Sequence, residues 1–97
     1  MTVAVPNSAS TKVLSKVTSG VLSHAVWFQN FNTTTGIRVA CGVAADGAEF
    51  YVPPASGATA PASLIVQNTG GDSTLVNAEW YAWQDSGGSV NINCGRW

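Results

Sequence analysis

No stretch of this chain keeps a 3.6-residue apolar period. Short β-branched and aromatic runs recur instead about every ten residues, broken by Gly, Pro, Asn and Ser. A helix needs its apolar side chains on one stripe and a strand needs them on alternate residues, so the pattern selects a small sandwich or barrel. Strands are expected near Val3–Val5, Lys12–Lys16, Ala25–Phe31, Gly36–Gly42, Glu49–Val52, Ala62–Gln67, Thr74–Trp83 and Ser89–Asn93. Turn chemistry separates them at Asn32–Gly36, Asp46-Gly47, Asn68–Asp72 and Asp85–Gly88. The chain has 97 residues, and two separate cores would each bury too little apolar surface to offset folding entropy. The expected fold is therefore all-β, one domain over residues 1–97: a small antiparallel β-sandwich, or flattened barrel, of about seven to eight short strands. Pro53–Pro61 holds three prolines and reads as a surface crossover, because proline cannot supply the donors of a central strand.

Alternation assigns the faces. In Ile37–Cys41 the odd positions point inward and Arg38 points to solvent or a partner; in Val90–Cys94 the same parity buries Val90, Ile92 and Cys94 and exposes Asn91 and Asn93. Cys41 and Cys94 thus both fall on buried sides. Each is either a small buried thiol, the preferred reading, or one half of a disulfide closing a loop of some fifty residues, worth about 4 kcal/mol in the loop-entropy picture. Two Cys and one distant His24 do not make a metal site.

The densest aromatic cluster is Trp80-Tyr81-Ala82-Trp83. If this run forms a hairpin with Val90–Asn93, a four-residue loop buries Tyr81, Trp83 and Glu79, whereas a five-residue loop buries Ala78, Trp80 and Ala82. The second register keeps the Glu79 carboxylate in water and is preferred. It leaves Tyr81 and Trp83 outward beside Asn91 and Asn93, joined by Trp97, as candidate interface residues together with Arg38 and Arg96. Trp27, Phe28 and Phe31 read as core or cross-strand packing.

Charge narrows the function classes. Charged residues make up 9% of the chain, and four Lys+Arg against five Asp+Glu leave a net charge of −1, too little positive charge to neutralise many phosphates, so no nucleic-acid partner is expected. No apolar run approaches the ~20 residues a bilayer span requires, so no membrane partner is expected. The first residues lack the basic and apolar regions of a secretory signal. His24 is the only imidazole and reads as a strand-start capping residue, no GxSxG elbow or phosphate loop is present, and Asn32-Thr33-Thr34 is a lone glycosylation pattern. Neither catalytic residues nor a cofactor are implied.

The order of elements carries a resemblance. Phe28-Gln29-Asn30-Phe31-Asn32 leads through a Thr turn into Gly36-Ile37-Arg38-Val39; the Tyr51-Val52-Pro53-Pro54 platform follows, and Trp80-Tyr81-Ala82-Trp83 with its Ser-Gly turn and Val90-Asn91-Ile92 closes the series. From about residue 8 to residue 93 this resembles the small β-sandwich structural proteins of tailed bacteriophage virions, of the head decoration, cement or fibre-associated type. The resemblance implies a non-enzymatic capsid decoration protein that binds the major capsid protein, or another virion protein, and sibling subunits. It implies a homo-oligomer, most often a trimer, made in the host cytoplasm and located in the virion. In such a setting a Cys41–Cys94 bridge would form only after release. The cysteine pair and the end Cys94-Gly95-Arg96-Trp97, expected to be mobile, depart from the pattern. The alternative is a carbohydrate-binding or lectin-like adhesion domain, with Tyr81, Trp83 and the asparagines taking a glycan.

Overall fold

The computed structural model describes residues 1–7, 9–18, 23–43, 45, 50–57, 59–67, 74–84 and 88–97. The turn signals at Asp46-Gly47, Asn68–Asp72 and Asp85–Gly87, and Glu49, lie outside them. Eight strands follow one another: β1 (Thr2–Val5), β2 (Thr11–Leu14), β3 (Ala25–Asn30), β4 (Ile37–Cys41), β5 (Phe50–Val52), β6 (Ala62–Gln67), β7 (Trp80–Trp83) and β8 (Val90–Arg96). One helical turn, α1 (Thr74–Asn77), precedes β7.

The topology is that of a single antiparallel ribbon. β1 pairs with β8, β2 with β7, β3 with β6 and β4 with β5. The chain runs out along one side of the ribbon, reverses between β4 and β5, and returns along the other side. Folding the ribbon over joins β8 to β3 and β7 to β4. The result is two four-stranded sheets, β1-β8-β3-β6 and β2-β7-β4-β5, the jelly-roll arrangement of a β-sandwich. The expected all-β sandwich of seven to eight strands is present.

Alternation fills the space between the sheets. Val26, Phe28, Val90, Ile92 and Cys94 face in from the first sheet, and Ile37, Val39, Val52, Trp80 and Ala82 from the second. Trp80 is the largest fully buried side chain, with its ring centroid 5.2 Å from Phe28 and 6.2 Å from Phe50. Each such large apolar side chain contributes about 1.5–3 kcal/mol on burial.

With few charges available, buried amides close the joints. Asn30 Nδ2 donates to the carbonyls of Thr35 (2.8 Å) and Pro53 (3.1 Å), and its Oδ1 accepts from Asn32 N (2.9 Å). Asn77 makes a two-way clasp on Ser23, Oδ1 accepting from its N–H at 2.9 Å and Nδ2 donating to its carbonyl at 3.0 Å. Gln84 Nε2 donates to the carbonyls of Val5 (3.0 Å) and Gly88. Such pairing removes the penalty of leaving buried amides unmet. The Asn32-Thr33-Thr34 pattern is a turn of the same kind: Asn32 Oδ1 accepts from the N–H groups of Thr34 (2.9 Å) and Thr35 (2.7 Å).

Three expectations need correction. Thr74–Trp83 is not one strand, because Thr74–Asn77 forms the helical turn, and β7 begins only at Trp80. The carbonyls of Val76 and Ala78, which a strand would give to a neighbour, accept from Arg96 instead. Nor do β7 and β8 form a hairpin: they lie in opposite sheets, as all consecutive strands here do except β4 and β5. The expected facing holds within β7, with Trp80 and Ala82 buried, because alternation there is fixed by the core whichever strand lies beside it, but it does not extend to Ala78 and Glu79, which precede the strand and are both half-buried. Finally, Phe31 is 41% exposed, since the chain leaves β3 at Asn30.

Candidate functional site

Two outer sheet faces carry the candidate residues, and they differ in chemistry. On the second sheet, Arg38 lies opposite Trp83 on one side and Tyr51 on the other, and Tyr81 lies opposite Lys12 and Ala40. The Arg38 guanidinium sits 4.9 Å from the centre of the Tyr51 ring, a cation–π contact within the fold. Tyr51 covers Gly36, where a Cβ would meet the phenol ring, so glycine is what lets the ring lie there. Tyr81, Trp83 and Arg38 face outward as expected, but all three are half-buried by their cross-strand neighbours.

The outer face of the first sheet is built from Thr2 and Ala4 of β1, Asn91, Asn93 and Gly95 of β8, Ala25, Trp27 and Gln29 of β3, and Ser63, Ile65 and Gln67 of β6. None of these side chains is charged. Trp27 lies opposite Ile65 in β6 and Gly95 in β8. Its indole occupies the space a Gly95 side chain would take, 2.7–2.9 Å from the ideal Cβ position. Thr2 Oγ1 donates to Asn93 Oδ1 at 2.5 Å, while among the described residues Gln29 and Ser63 have no side-chain hydrogen-bond partner in the protein. Trp27, Phe28, Gln29, Ser63, Ile65 and Trp97 line a shallow pocket of about 270 Å³. Ile65 is 55% and Trp97 54% exposed.

The expected patch is therefore split. Asn91, Asn93 and Trp97 belong to the first sheet and do not stand beside Tyr81 and Trp83; the two asparagines share the outer face of that sheet with Trp27, Asn93 lying opposite Gln29 and Asn91 opposite Ala4. The end of the chain is not a mobile Arg–Trp arm either. β8 continues through Arg96, and Trp97 N donates to Ala25 O at 3.1 Å while His24 N donates to Trp97 O at 2.6 Å. Arg96 is not a free interface cation: Nε donates to Val76 O at 2.8 Å and Nη2 to Ala78 O at 2.5 Å, pinning the helical turn to β8. Trp27, Gln29, Ser63 and Ile65 were not singled out as site residues from the sequence. The available signal was the parity of β3, in which Val26, Phe28 and Asn30 are buried and Trp27 and Gln29 are the alternate set.

Cys94 is fully buried and Cys41 half-buried at the end of β4, and both are free thiols. Burial pushes both thiols up from their ordinary value, with the Arg96 charge acting in the opposite sense on each. Burial likewise pulls the Arg96 guanidinium down, against the raising effect of the two cysteines. These are not the low-value thiolates of a nucleophilic site. Among the described residues no three His, Cys, Asp or Glu side chains gather to hold a metal ion. No helix of the described structure is long and apolar enough to cross a membrane.

No family model, curated protein or solved structure matches this chain. The chemistry of the two faces is then the main guide to function. One face offers a cation held against a phenol ring. The other offers indole, aliphatic, amide and hydroxyl groups without charge.

Proposed function

We propose that this chain is a non-enzymatic structural subunit of a bacteriophage virion, of the capsid decoration or cement type, which docks on a capsid protein through the outer face of its first sheet. The observation that carries the reading is that face, with Trp27, Ile65 and Trp97 at its surface and no charged side chain at the outward positions of its four strands. Desolvating such a surface costs little compared with burying unpaired charge, and aromatic residues supply much interface energy at low entropic cost. Many weak contacts of this kind sum over a lattice of identical sites. The jelly-roll architecture is common to viral capsid and lectin domains, an analogy of fold that supports such a setting. Mass spectrometry of density-banded particles from the phage or prophage that encodes the chain tests the reading. Peptides of this chain at copy numbers comparable to the head protein are expected; their absence from the banded particles overturns it.

A second reading, a glycan-binding adhesion domain, is favoured by one specific observation. Trp27, Trp97, Gln29 and Ser63 converge on the same pocket, pairing indole surface with uncommitted amide and hydroxyl groups. Saturable quenching of tryptophan emission by a neutral oligosaccharide, lost in Trp27→Ala, is the result this reading requires. A flat response across a glycan panel removes it.

A further inference from the structure

Four strands form the edges of the two sheets, and three of them are guarded against further pairing. β2 carries Lys12, β5 is three residues long and runs into Pro53-Pro54, and β1 is four residues long and runs into Pro6. Lysine, proline and shortness are the usual means by which natural sheets keep edges from pairing. β6 also has a proline beside it, Pro61, but Ala62-Ser63-Leu64-Ile65-Val66-Gln67 is the longest edge strand and is neither short nor charged, with no proline inside it. Its outer row, Ser63, Ile65 and Gln67, is exposed, and its inner row, Ala62, Leu64 and Val66, packs against the core while remaining only half-buried. Among the described residues no strand pairs with its free side.

We propose that β6 is a self-association edge, at which two copies of this chain pair antiparallel about a two-fold axis through Ile65 and join their first sheets into one of eight strands. In that register Ile65 lies opposite Ile65 of the second copy, Ser63 opposite Gln67, and Leu64 opposite Val66. The sequence is self-complementary about this axis: hydroxyl meets amide on the outer row, aliphatic meets aliphatic on the inner row, and no like charges meet. Pairing satisfies the open N–H and C=O groups of the edge and completes the cover over Leu64 and Val66. A two-fold contact uses the same edge on both copies and so closes at two subunits. The inference does not depend on the virion reading, and it differs from the trimer implied by the resemblance.

Disulfide trapping of the full chain in a Cys41→Ser background tests both the edge and the register. Directly opposed residues have Cβ atoms about 4.5–5.5 Å apart, near enough to bridge after a small adjustment. Two copies of residue 63 would instead be offset by four residues, roughly 13 Å along the strands. Mild oxidation is expected to convert the Ile65→Cys variant to covalent dimer at least about tenfold faster than the Ser63→Cys variant. Sedimentation across a dilution series is expected to show a dimer for the parent chain. Ile65→Lys, which sets two cations opposite each other at an exposed position, is expected to give a monomer with an unchanged circular dichroism spectrum. A parent chain that stays monomeric at its solubility limit, a stable trimer, or equal trapping at positions 63 and 65 overturns the proposal.

Discussion

Replacing Gly95 by alanine adds one methyl group near the C-terminal end of β8, directly under the Trp27 indole. The added Cβ would lie 2.7 Å from Cζ2 and 2.9 Å from Cε2 and Nε1, against an optimal carbon–carbon separation of about 3.5–4.0 Å. The ring must therefore retreat by roughly 1 Å or leave its place between Gly95 and Ile65. Gly95 does not lie in the left-handed region, so alanine accepts its backbone. By unfolded-state entropy alone the substitution would stabilise by about 0.4–1 kcal/mol. Overpacking costs about 1–3 kcal/mol and the weakened Trp27–Ile65 pair about 0.2–1 kcal/mol, so the net expectation is destabilisation by about 1–2 kcal/mol. For a domain of this size that lowers Tm by roughly 4–16 °C. Urea and thermal unfolding of four proteins, the parent, Gly95→Ala, Trp27→Ala and the double variant, give the coupling directly. In the Trp27→Ala background, with the ring gone, Gly95→Ala should become neutral or stabilising. A Gly95→Ala protein as stable as the parent while Trp27 is intact refutes the steric reasoning.

Arg96→Met keeps the aliphatic stem but leaves the Val76 and Ala78 carbonyls without their guanidinium donor; it should cost about 2–4 kcal/mol, with faster amide hydrogen exchange across residues 76–79 as the local readout. Asn30→Ala removes three hydrogen bonds from a fully buried amide that ties β3 to the carbonyls of Thr35 and Pro53. Its expected cost is also about 2–4 kcal/mol, read from the urea midpoint; a loss below about 0.5 kcal/mol would contradict the role given to it. Burial raises both thiols in the folded chain, so the native state keeps these protons at pH values where the unfolded chain has released them. The stabilising contribution is complete below the ordinary thiol value of about 8.5 and declines as pH rises above it. Urea midpoints from pH 7 to 10 should fall less steeply for Cys94→Ala than for the parent, and equal slopes would contradict the assignment.

Facing was legible in the sequence; pairing was not. The alternation in Ile37–Cys41, Trp80–Trp83 and Val90–Cys94 is set by one buried side per strand, a local property that short windows reveal. Which strands lie side by side depends on how the whole ribbon folds over, and β7 and β8, close in sequence, are separated by the sandwich because each finds its partners far along the chain. The same long-range pairing hid the candidate face, since Trp27 and Ile65 become neighbours only through the β3–β6 ladder. Arg96 looked free because its partners, the Val76 and Ala78 carbonyls, are backbone groups that side-chain composition does not announce. Thr74–Asn77 looked like strand because a β-branched run carries no local mark of the Asn77 clasp and the Arg96 pin that turn it into a helical turn.

If the uncharged outer face of the first sheet does the docking, the chain must rebind through it to particles that lack the chain. Purified parent chain, Gln29→Lys in the middle of that face, and Lys12→Glu on the opposite face are each titrated onto such particles and separated from unbound protein by density banding. Saturable binding is expected of the parent and of Lys12→Glu, and loss of binding of Gln29→Lys, which would bury an unpaired charge. Gln29→Lys binding as tightly as the parent, or selective loss in Lys12→Glu, would contradict docking through this face.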